Sequence, residues 1–222
     1  MRARLLPALF FLLAGCSGTA LGDLASMAGV GGSAGNGPEG PVSPPALSGA
    51  PSACYHATWA LQPETAWSEE NMHNMGLGRG QELEYLGSAG DAWLTLDPDG
   101  TYQWSLNRFA VTLRGNADSS TPTDVTVHMH GMIYGTAVPG AGASTLDMQV
   151  NAPGTPETRL TAYADVAGGG VGSLGRINLD VNRLFRANEW TSRVECSGRA
   201  LTVTTTAEDS GALQNARYTK VR

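Results

Sequence analysis

Two histidines of this 222-residue chain lie two positions apart, a spacing that could supply two ligands to a metal. His128 and His130 lie in an alternating stretch, so on a β-strand both side chains would point to the same face. A structural zinc site needs four ligands, and a catalytic site needs three together with water. His56 and His73 are the other histidines, and both are distant in sequence. The pair therefore predicts two polar residues on the outer face of a strand, and we expect no metal or other cofactor.

Two loop motifs partly match known ligand-binding sequences but lack the flanking residues or elements that such sites need. Asp97-Pro-Asp-Gly100 starts like a calcium loop, yet its glycine comes too early and Arg108 stands where an EF-hand has glutamate. The same four residues are typical of a tight turn between strands. Gly170-Val-Gly-Ser-Leu-Gly175 has the spacing of a dinucleotide fingerprint, but an alternating stretch follows it where a helix is required. We expect a hairpin turn and a flexible loop.

Acid–base and nucleophilic chemistry have few candidates in this chain. Glu69, Glu70 and His73 are close in sequence, but neighbouring residues seldom converge on one point, and a solvated helix start accounts for them. The chain contains no Gly-x-Ser-x-Gly and no His-Glu-x-x-His motif. The sequence therefore predicts a protein that is not an enzyme, with an unrecognised hydrolase as an alternative.

The first sixteen residues predict export and lipid attachment. Arg2 and Arg4 precede an apolar run over residues 5–13 that is too short to cross a bilayer. Leu13-Ala14-Gly15-Cys16 then resembles the lipobox of bacterial lipoproteins. This resemblance implies cleavage before Cys16, a diacylglyceryl thioether on its sulfur and usually fatty acylation, such as palmitoylation, of the new amino group. It also implies anchoring in the cell envelope, in the outer membrane if the host has one.

Two cysteines remain once Cys16 carries the lipid. In an exported protein, Cys54 and Cys196 are expected to form a disulfide, with two free buried thiols as the alternative. The formal net charge of −6 predicts neither nucleic-acid binding nor attraction to anionic lipid, because both require a basic surface. The membrane contact that we expect is the lipid anchor alone.

Composition divides the chain into three parts. Residues 1–15 form the signal peptide. Residues 16–52 combine the lipidated cysteine with a stalk rich in Gly, Ala, Ser and Pro, which we expect to be disordered because it offers little apolar surface to bury. Residues 53–222 then form one domain, which is long enough to build a core.

Period-two alternation recurs throughout that domain and predicts β-strands. Turn residues separate the strands, and only residues 66–75 and 182–189 suggest short helices. We therefore predict an all-β fold: a small antiparallel up-and-down β-barrel of about 8–10 strands with one or two short helices. The alternating stretches are 93–96, 101–106, 109–113, 124–133, 146–150, 160–163, 177–181, 193–196, 201–204 and 216–221.

The C-terminal part of the domain resembles bacterial lipocalin-like lipoproteins. The resemblance rests on a cysteine, a glycine turn and an alternating strand in Val194-Glu-Cys-Ser-Gly-Arg-Ala-Leu-Thr-Val203, and on the ending Tyr218-Thr-Lys-Val221. Trp59 as an early tryptophan on the first strand and the hairpin Asp99-Gly-Thr-Tyr102 fit the same family. Two positions depart from it, with Ala57 in place of a glycine and Lys220 in place of an arginine.

The resemblance implies a barrel of the kind that often holds a small apolar ligand. Trp59, Trp93, Trp104 and Tyr102 are the residues that we expect to line such a cavity, unless the inward side chains simply fill the interior. The sequence thus predicts a membrane-tethered module that binds a small apolar ligand or a protein partner. An envelope structural or interaction lipoprotein with a filled barrel is the alternative.

Overall fold

The computed structural model describes residues 38–68, 83–115, 122–142, 144–168, 175–179, 189–206 and 213–221. Ten β-strands and one short helix make up this part of the chain. In order they are β1 (Ala57–Gln62), α1 (Pro63–Ala66), β2 (Leu83–Leu96), β3 (Thr101–Gly115), β4 (Thr123–Pro139), β5 (Thr145–Val150), β6 (Arg159–Gly168), β7 (Gly175–Asn178), β8 (Glu189–Ser197), β9 (Ala200–Thr206) and β10 (Leu213–Lys220).

Eight of these strands close into a ring. Strands β1 to β5 pair antiparallel in sequence order, and β5 pairs antiparallel with β8. Strands β8, β9 and β10 continue in the same way, and β10 pairs with β1 to complete the circuit. The predicted all-β, antiparallel up-and-down barrel is therefore confirmed. Closure gives every ring strand two neighbouring strands in the ring.

Strand β4 is shared between the ring and an extension of the sheet. Its C-terminal half, Gly135–Pro139, pairs with β5 in the ring. Its N-terminal half, Thr123–Met132, pairs with β6 instead, and β6 pairs with β7. The β6–β7 hairpin therefore lies between β5 and β8 in sequence but beside the first half of β4 in space.

Three neighbouring strands bend where the ring meets this extension. The pairing register shifts between Ala89 and Asp91 on β2, and between Leu106 and Phe109 on β3. Gly90 (φ +71°), Arg108 (φ +49°) and Gly131 (φ +141°) lie at the bend on β2, β3 and β4, and together we call them the bend line. All three have φ values that favour glycine, and bulges of this kind turn a strand at the rim of a barrel.

The turn predicted at Asp97-Pro-Asp-Gly100 joins β2 to β3. The amide of Asp97 donates to the Thr101 carbonyl (2.9 Å), and the amide of Gly100 donates to the Asp97 carbonyl (3.1 Å). Gly100 has a φ of +85°, which glycine adopts without a steric penalty. The carboxylate of Asp99 accepts bonds from the amide (2.8 Å) and the hydroxyl (2.6 Å) of Thr101. The hairpin interpretation is confirmed, and side-chain bonds within the turn occupy this carboxylate.

The helices match the prediction only in being short. Helix α1 begins at Pro63, which suits the first turn because proline has no amide hydrogen to leave unpaired there. Residues 69–75 and 182–188 of the two predicted helices lie outside the described residues.

The folded region begins earlier than predicted. Residues 38–52, which composition assigned to a disordered stalk, lie against the outside of the barrel, and Val42 is 5 % exposed. Hydrogen bonds link this segment to Asn107, Asp97 and His130. The predicted domain start at residue 53 is therefore too late. Residues 38–52 offer few apolar groups, and they are held by hydrogen bonds to side chains far along the sequence.

Candidate functional site

The interior of the barrel is filled by the protein's own side chains. Inward residues from every ring strand form one apolar cluster, and none of its fully buried members is more than 7 % exposed. Trp59, Tyr218 and Phe109 are the largest side chains that are less than 2 % exposed. A barrel with a water-filled ligand cavity would leave the side chains that line the cavity exposed. Among the described residues, the interior is therefore a packed core, as is common in small barrels.

Trp59, Trp104 and Tyr102 take part in this core rather than lining an open cavity. The indole Nε1 of Trp59 donates to the Tyr55 carbonyl (2.8 Å), so its one polar atom is satisfied. The ring of Trp104 lies 5.9 Å from that of Tyr218, in a tilted arrangement typical of packed aromatic pairs. Tyr102 lies across Gly135 on β4, where a side chain would collide with its ring.

Trp93 lies on the other face of the sheet. Its neighbours Ala92 and Leu94 belong to the core cluster, and Trp93 itself is only half-buried. The expectation that Trp93 lines a cavity with the other three aromatic residues is therefore wrong. The alternation in Trp93-Leu-Thr-Leu96 carried the correct signal, because a core position for both leucines places the tryptophan outside.

The two buried tyrosines bring hydroxyl groups into an apolar interior. Burial raises the pKa of the Tyr102 hydroxyl and that of the Tyr218 hydroxyl far above the usual value, so both stay neutral. Among the described residues, the Tyr218 hydroxyl has no hydrogen-bond partner. It is one of the two tyrosine hydroxyls in this largely apolar core.

The outer face of β1, β2 and β3 carries a second buried region, and this one is polar. Thr58, Thr95 and Ser105 are at most 1 % exposed although they point away from the core. The hydroxyls of Thr58 and Thr95 lie 3.1 Å apart and form a hydrogen bond. Neighbouring side chains cover part of this region, since Gln103 Nε2 donates to Ser105 Oγ (2.7 Å), and a further segment of the chain is bonded along the same face.

That further segment is the chain N-terminal to β1. We call residues 38–53 the strap. At one end the strap amide of Val42 donates to Asn107 Oδ1 (3.3 Å). At the other end the amide of Ser48 donates to Asp97 Oδ2 (2.9 Å), and the hydroxyl of Ser48 donates to Asp97 Oδ1.

The strap must be extended between these two attachments. Asn107 pairs with Asp91, so its attachment lies six residues along β2 from Asp97, a distance of about 20 Å at 3.3 Å per residue. Residues 42–48 span that distance only in an extended conformation of about 3.1–3.3 Å per residue. Pro44 and Pro45 favour this conformation because the proline ring fixes φ. The strap therefore runs along the outer face of β2 and β3 between Asn107 and Asp97, the face that carries Thr95 and Ser105.

Hydrogen bonds from the strap hold the Asp97 carboxylate in its charged form. Partial burial raises the pKa of Asp97. The hydrogen bonds from Ser48 and from the Asp99 amide lower it by more, so the net shift of the pKa is downward. The pKa of His56 is lowered because burial penalises its charged form, and nearby Asp97 partly offsets this. Electrostatics thus favour a charged aspartate and a neutral histidine beside the strap.

A disulfide joins Cys54, the residue that follows the strap, to Cys196 on β8, with the two Cα atoms 6.1 Å apart. The predicted pairing is confirmed. It encloses a loop with a sequence separation of 142 residues.

The two histidines of β4 lie on one face, as predicted, but each has separate partners. His128 Nε2 lies 3.2 Å from Asp165 Oδ2, and the ring of His128 stacks on Tyr163 at 4.5 Å. Arg176 also lies over the ring of Tyr163, with 3.8 Å between its guanidinium carbon and the ring centroid. His130 instead binds Gly40 of the strap. No group of three His, Cys, Asp or Glu side chains suited to a metal ion occurs within the described ranges.

Several candidate residues lie outside the described part of the chain. These are the lipidation candidate Cys16, the Glu69, Glu70 and His73 group, and residues 170–174 of the glycine-rich motif. The sequence did not predict the strap contacts. The residues around Asp97, Asn107 and His130 give no sign of a bond to a residue 49 to 90 positions away.

Comparison of the chain with protein-family models, with curated proteins and with solved structures finds no match. In the part of the chain that the structure describes, no helix is long and apolar enough to span a membrane.

Proposed function

We propose that this protein is a bacterial envelope lipoprotein that is anchored through Cys16 and binds a protein partner through the outer surface of a filled β-barrel. The observation that carries the proposal is the packed interior, whose inward side chains leave almost no surface open to water. A carrier of small apolar molecules needs a cavity of several hundred cubic ångströms. A filled barrel instead offers its outer face and loops for recognition.

The disulfide supports the extracytoplasmic part of this proposal. Disulfides persist in oxidising compartments and are rare in the cytosol, so the Cys54–Cys196 bond fits an exported protein. The closed eight-stranded ring also fits kinship with lipocalin-like lipoproteins, which we propose from the C-terminal sequence pattern. In this view the chain keeps the barrel of that group without an open ligand cup.

Membrane fractionation tests the anchor. Changing Cys16 to Ser removes the acylated sulfur, so we expect the variant to leave the membrane fraction and appear in the soluble fraction. Changing Ser17 to Ala beside it serves as the control and should leave the protein with the membranes. A C16S variant that stays membrane-bound in the absence of detergent would contradict the proposed anchor.

Native mass spectrometry tests the filled barrel. The full chain purified from its producing cells should carry no non-covalent small molecule, because the described inward side chains already pack together in the interior. Covalent lipid on Cys16 remains attached after denaturation and is thereby distinguished from a bound ligand. A stoichiometric small molecule that is lost on denaturation would overturn the filled-barrel proposal and restore the ligand carrier.

A further inference from the structure

Main-chain groups of the strap bond to side chains of the barrel. The amide of Val42 donates to Asn107 Oδ1 (3.3 Å), and the amide of Ser48 donates to Asp97 Oδ2 (2.9 Å). The carbonyl oxygen of Gly40 lies 3.0 Å from a histidine Nε2 on β4. Every residue except proline has such an amide, and every residue has such a carbonyl. These contacts therefore depend on the path of the strap more than on its sequence.

Prolines favour the extended conformation in which the strap crosses the barrel. Pro41, Pro44 and Pro45 lie within the bonded stretch, and each proline ring fixes φ at a value that suits a polyproline II helix. A chain in this conformation makes no hydrogen bonds within itself, so its main-chain groups are available to a neighbouring surface. Residues 40–48 thus have the composition of the proline-rich segments that proteins recognise in extended form.

The sheet between the two attachments presents an aromatic ring beside hydroxyls that are already bonded. Trp93 is half-buried on the outer face of β2 and is paired with Ser105 on β3. Ser105 accepts from Gln103, and the hydroxyl of Thr95 is bonded to that of Thr58. A segment that crosses this face therefore needs no polar side chain there, and an aromatic surface is what proline-rich segments commonly dock against.

Two strap side chains add selectivity to these main-chain contacts. Val42 is buried, so its position requires a small apolar side chain. The hydroxyl of Ser48 donates to Asp97 Oδ1 while its amide donates to Oδ2, so a carboxylate at this position would meet like charge. Residues 40–53 contain no charged side chain. The face therefore suits an uncharged extended segment with a small apolar residue followed, six positions later, by a hydroxyl residue.

We propose that this face of β2 and β3 is a recognition site for an extended, uncharged, proline-containing segment of a partner protein, and that the strap occupies the site within its own chain. The inference rests on the proposed function and names the part of the outer surface that the partner contacts. Residues 43–47 of the strap are exposed or half-buried, so little apolar surface holds them on the barrel. A partner segment that makes the same main-chain bonds can replace the strap.

The tethered strap competes with any segment that arrives from outside. The disulfide at Cys54 fixes the chain close to the attachment at Ser48, so the strap has an effective concentration on the order of millimolar at its site. An added peptide binds the fraction of molecules whose strap is released, and its apparent affinity is reduced by that fraction. Disabling the strap should therefore increase the affinity for the peptide.

Calorimetric titration of the full chain with a synthetic peptide of residues 38–53 tests the site. Val42→Asp with Ser48→Pro in the chain disables its own strap, because these changes remove the buried apolar group, the amide hydrogen and the hydroxyl. We expect saturable binding to this variant that is at least about tenfold tighter than binding to the parent chain. Amide exchange of β2 and β3 should match the parent chain and thereby show that the variant is folded.

Changes on each side of the contact show where the peptide binds. A peptide that carries Val42→Asp should not bind the strap-disabled chain. Adding Asp97→Ala and Asn107→Ala to that chain removes both acceptors and should abolish binding of the unmodified peptide. Asp165→Ala is the matched control, since this carboxylate is bonded on the β6–β7 extension, and it should leave the affinity unchanged.

Three results would overturn the proposed site. The first is no binding to the folded strap-disabled chain at millimolar peptide, the effective concentration of the strap itself. The second is equal affinity for the parent and strap-disabled chains. The third is binding that survives the loss of Asp97 and Asn107. Each of them would leave the lipid anchor and the filled barrel standing, because fractionation and native mass spectrometry test those separately.

Discussion

The face on which an aromatic side chain lies decides its role in this barrel. Trp59 points inward and is completely buried, whereas Trp93 points outward and is half-buried, although the two strands that carry them pair directly. The resemblance to lipocalin-like lipoproteins grouped these tryptophans as cavity residues. Parity along the strand separates them, because neighbouring residues of a strand point to opposite faces.

Changing Trp59 to Ala should reduce the free energy of unfolding by about 3–5 kcal/mol, because it removes a fully buried indole from a packed core. Trp93→Ala is the matched comparison and should cost clearly less, since its side chain already contacts solvent. Urea unfolding of both variants provides the measurement. Equal losses would show that the assignment of faces on β1 and β2 is wrong.

Asp97 should stabilise the protein only where its carboxylate is charged. Its pKa is depressed in the folded protein, so its contribution is complete above the unfolded value near 3.8 and disappears as pH falls through the folded value. Asp97→Asn should therefore cost about 1 kcal/mol at pH 7, an estimate that allows for solvent screening at this partly exposed site. The difference from the parent chain should shrink steadily below pH 4. A difference that is constant from pH 7 to pH 3 would contradict this.

At the scale of elements, the sequence predicted the strands and the turn that depend on residues close together in the chain. The alternating stretches and the Asp97–Gly100 turn are set by neighbours in sequence, and they correspond to strands and a hairpin in the structure. The bend line and the strap depend on groups that are far apart in sequence. Gly131 is required because the backbone of Arg159 approaches it closely, and no feature of the residues around Gly131 shows that approach.

Changing Gly131 to Ala should destabilise the protein by about 2–4 kcal/mol, because the residue has a φ of +141° and a new Cβ would collide with the backbone of β6. Gly154→Ala provides the control. Its φ is +86°, but nothing lies within 4 Å of the added atom, so only the backbone penalty of about 1 kcal/mol remains. Thermal unfolding of both variants tests the difference, and similar losses would mean that the close approach at Gly131 is absent.

At the scale of the whole molecule, the disulfide joins the part of the chain before β1 to β8. Its loop has a sequence separation of 142 residues, so it removes much conformational freedom from the unfolded chain. The pairing could be predicted because the expected lipidation of Cys16 leaves only these two cysteines. The covered outer face could not, since it follows from a docked segment whose composition resembles that of a disordered linker.

Replacing both Cys54 and Cys196 by Ala should lower the free energy of unfolding by about 2–5 kcal/mol. Reducing agent should lower the stability of the parent chain by a similar amount and leave that of the double variant unchanged. Urea unfolding with and without reductant measures both effects. A parent chain that is insensitive to complete reduction would show that the bond contributes little to stability.

The disulfide also determines how the barrel responds to a mechanical pull on its N-terminal side. Tension applied at residue 38 first loads the hydrogen bonds at Gly40, Val42 and Ser48, one after another, so the strap peels off at low force. The load then reaches Cys54 and divides between the chain leading to β1 and the covalent link to β8. Two strands of the closed ring share the tension from that point, and β1 is protected from being unzipped alone.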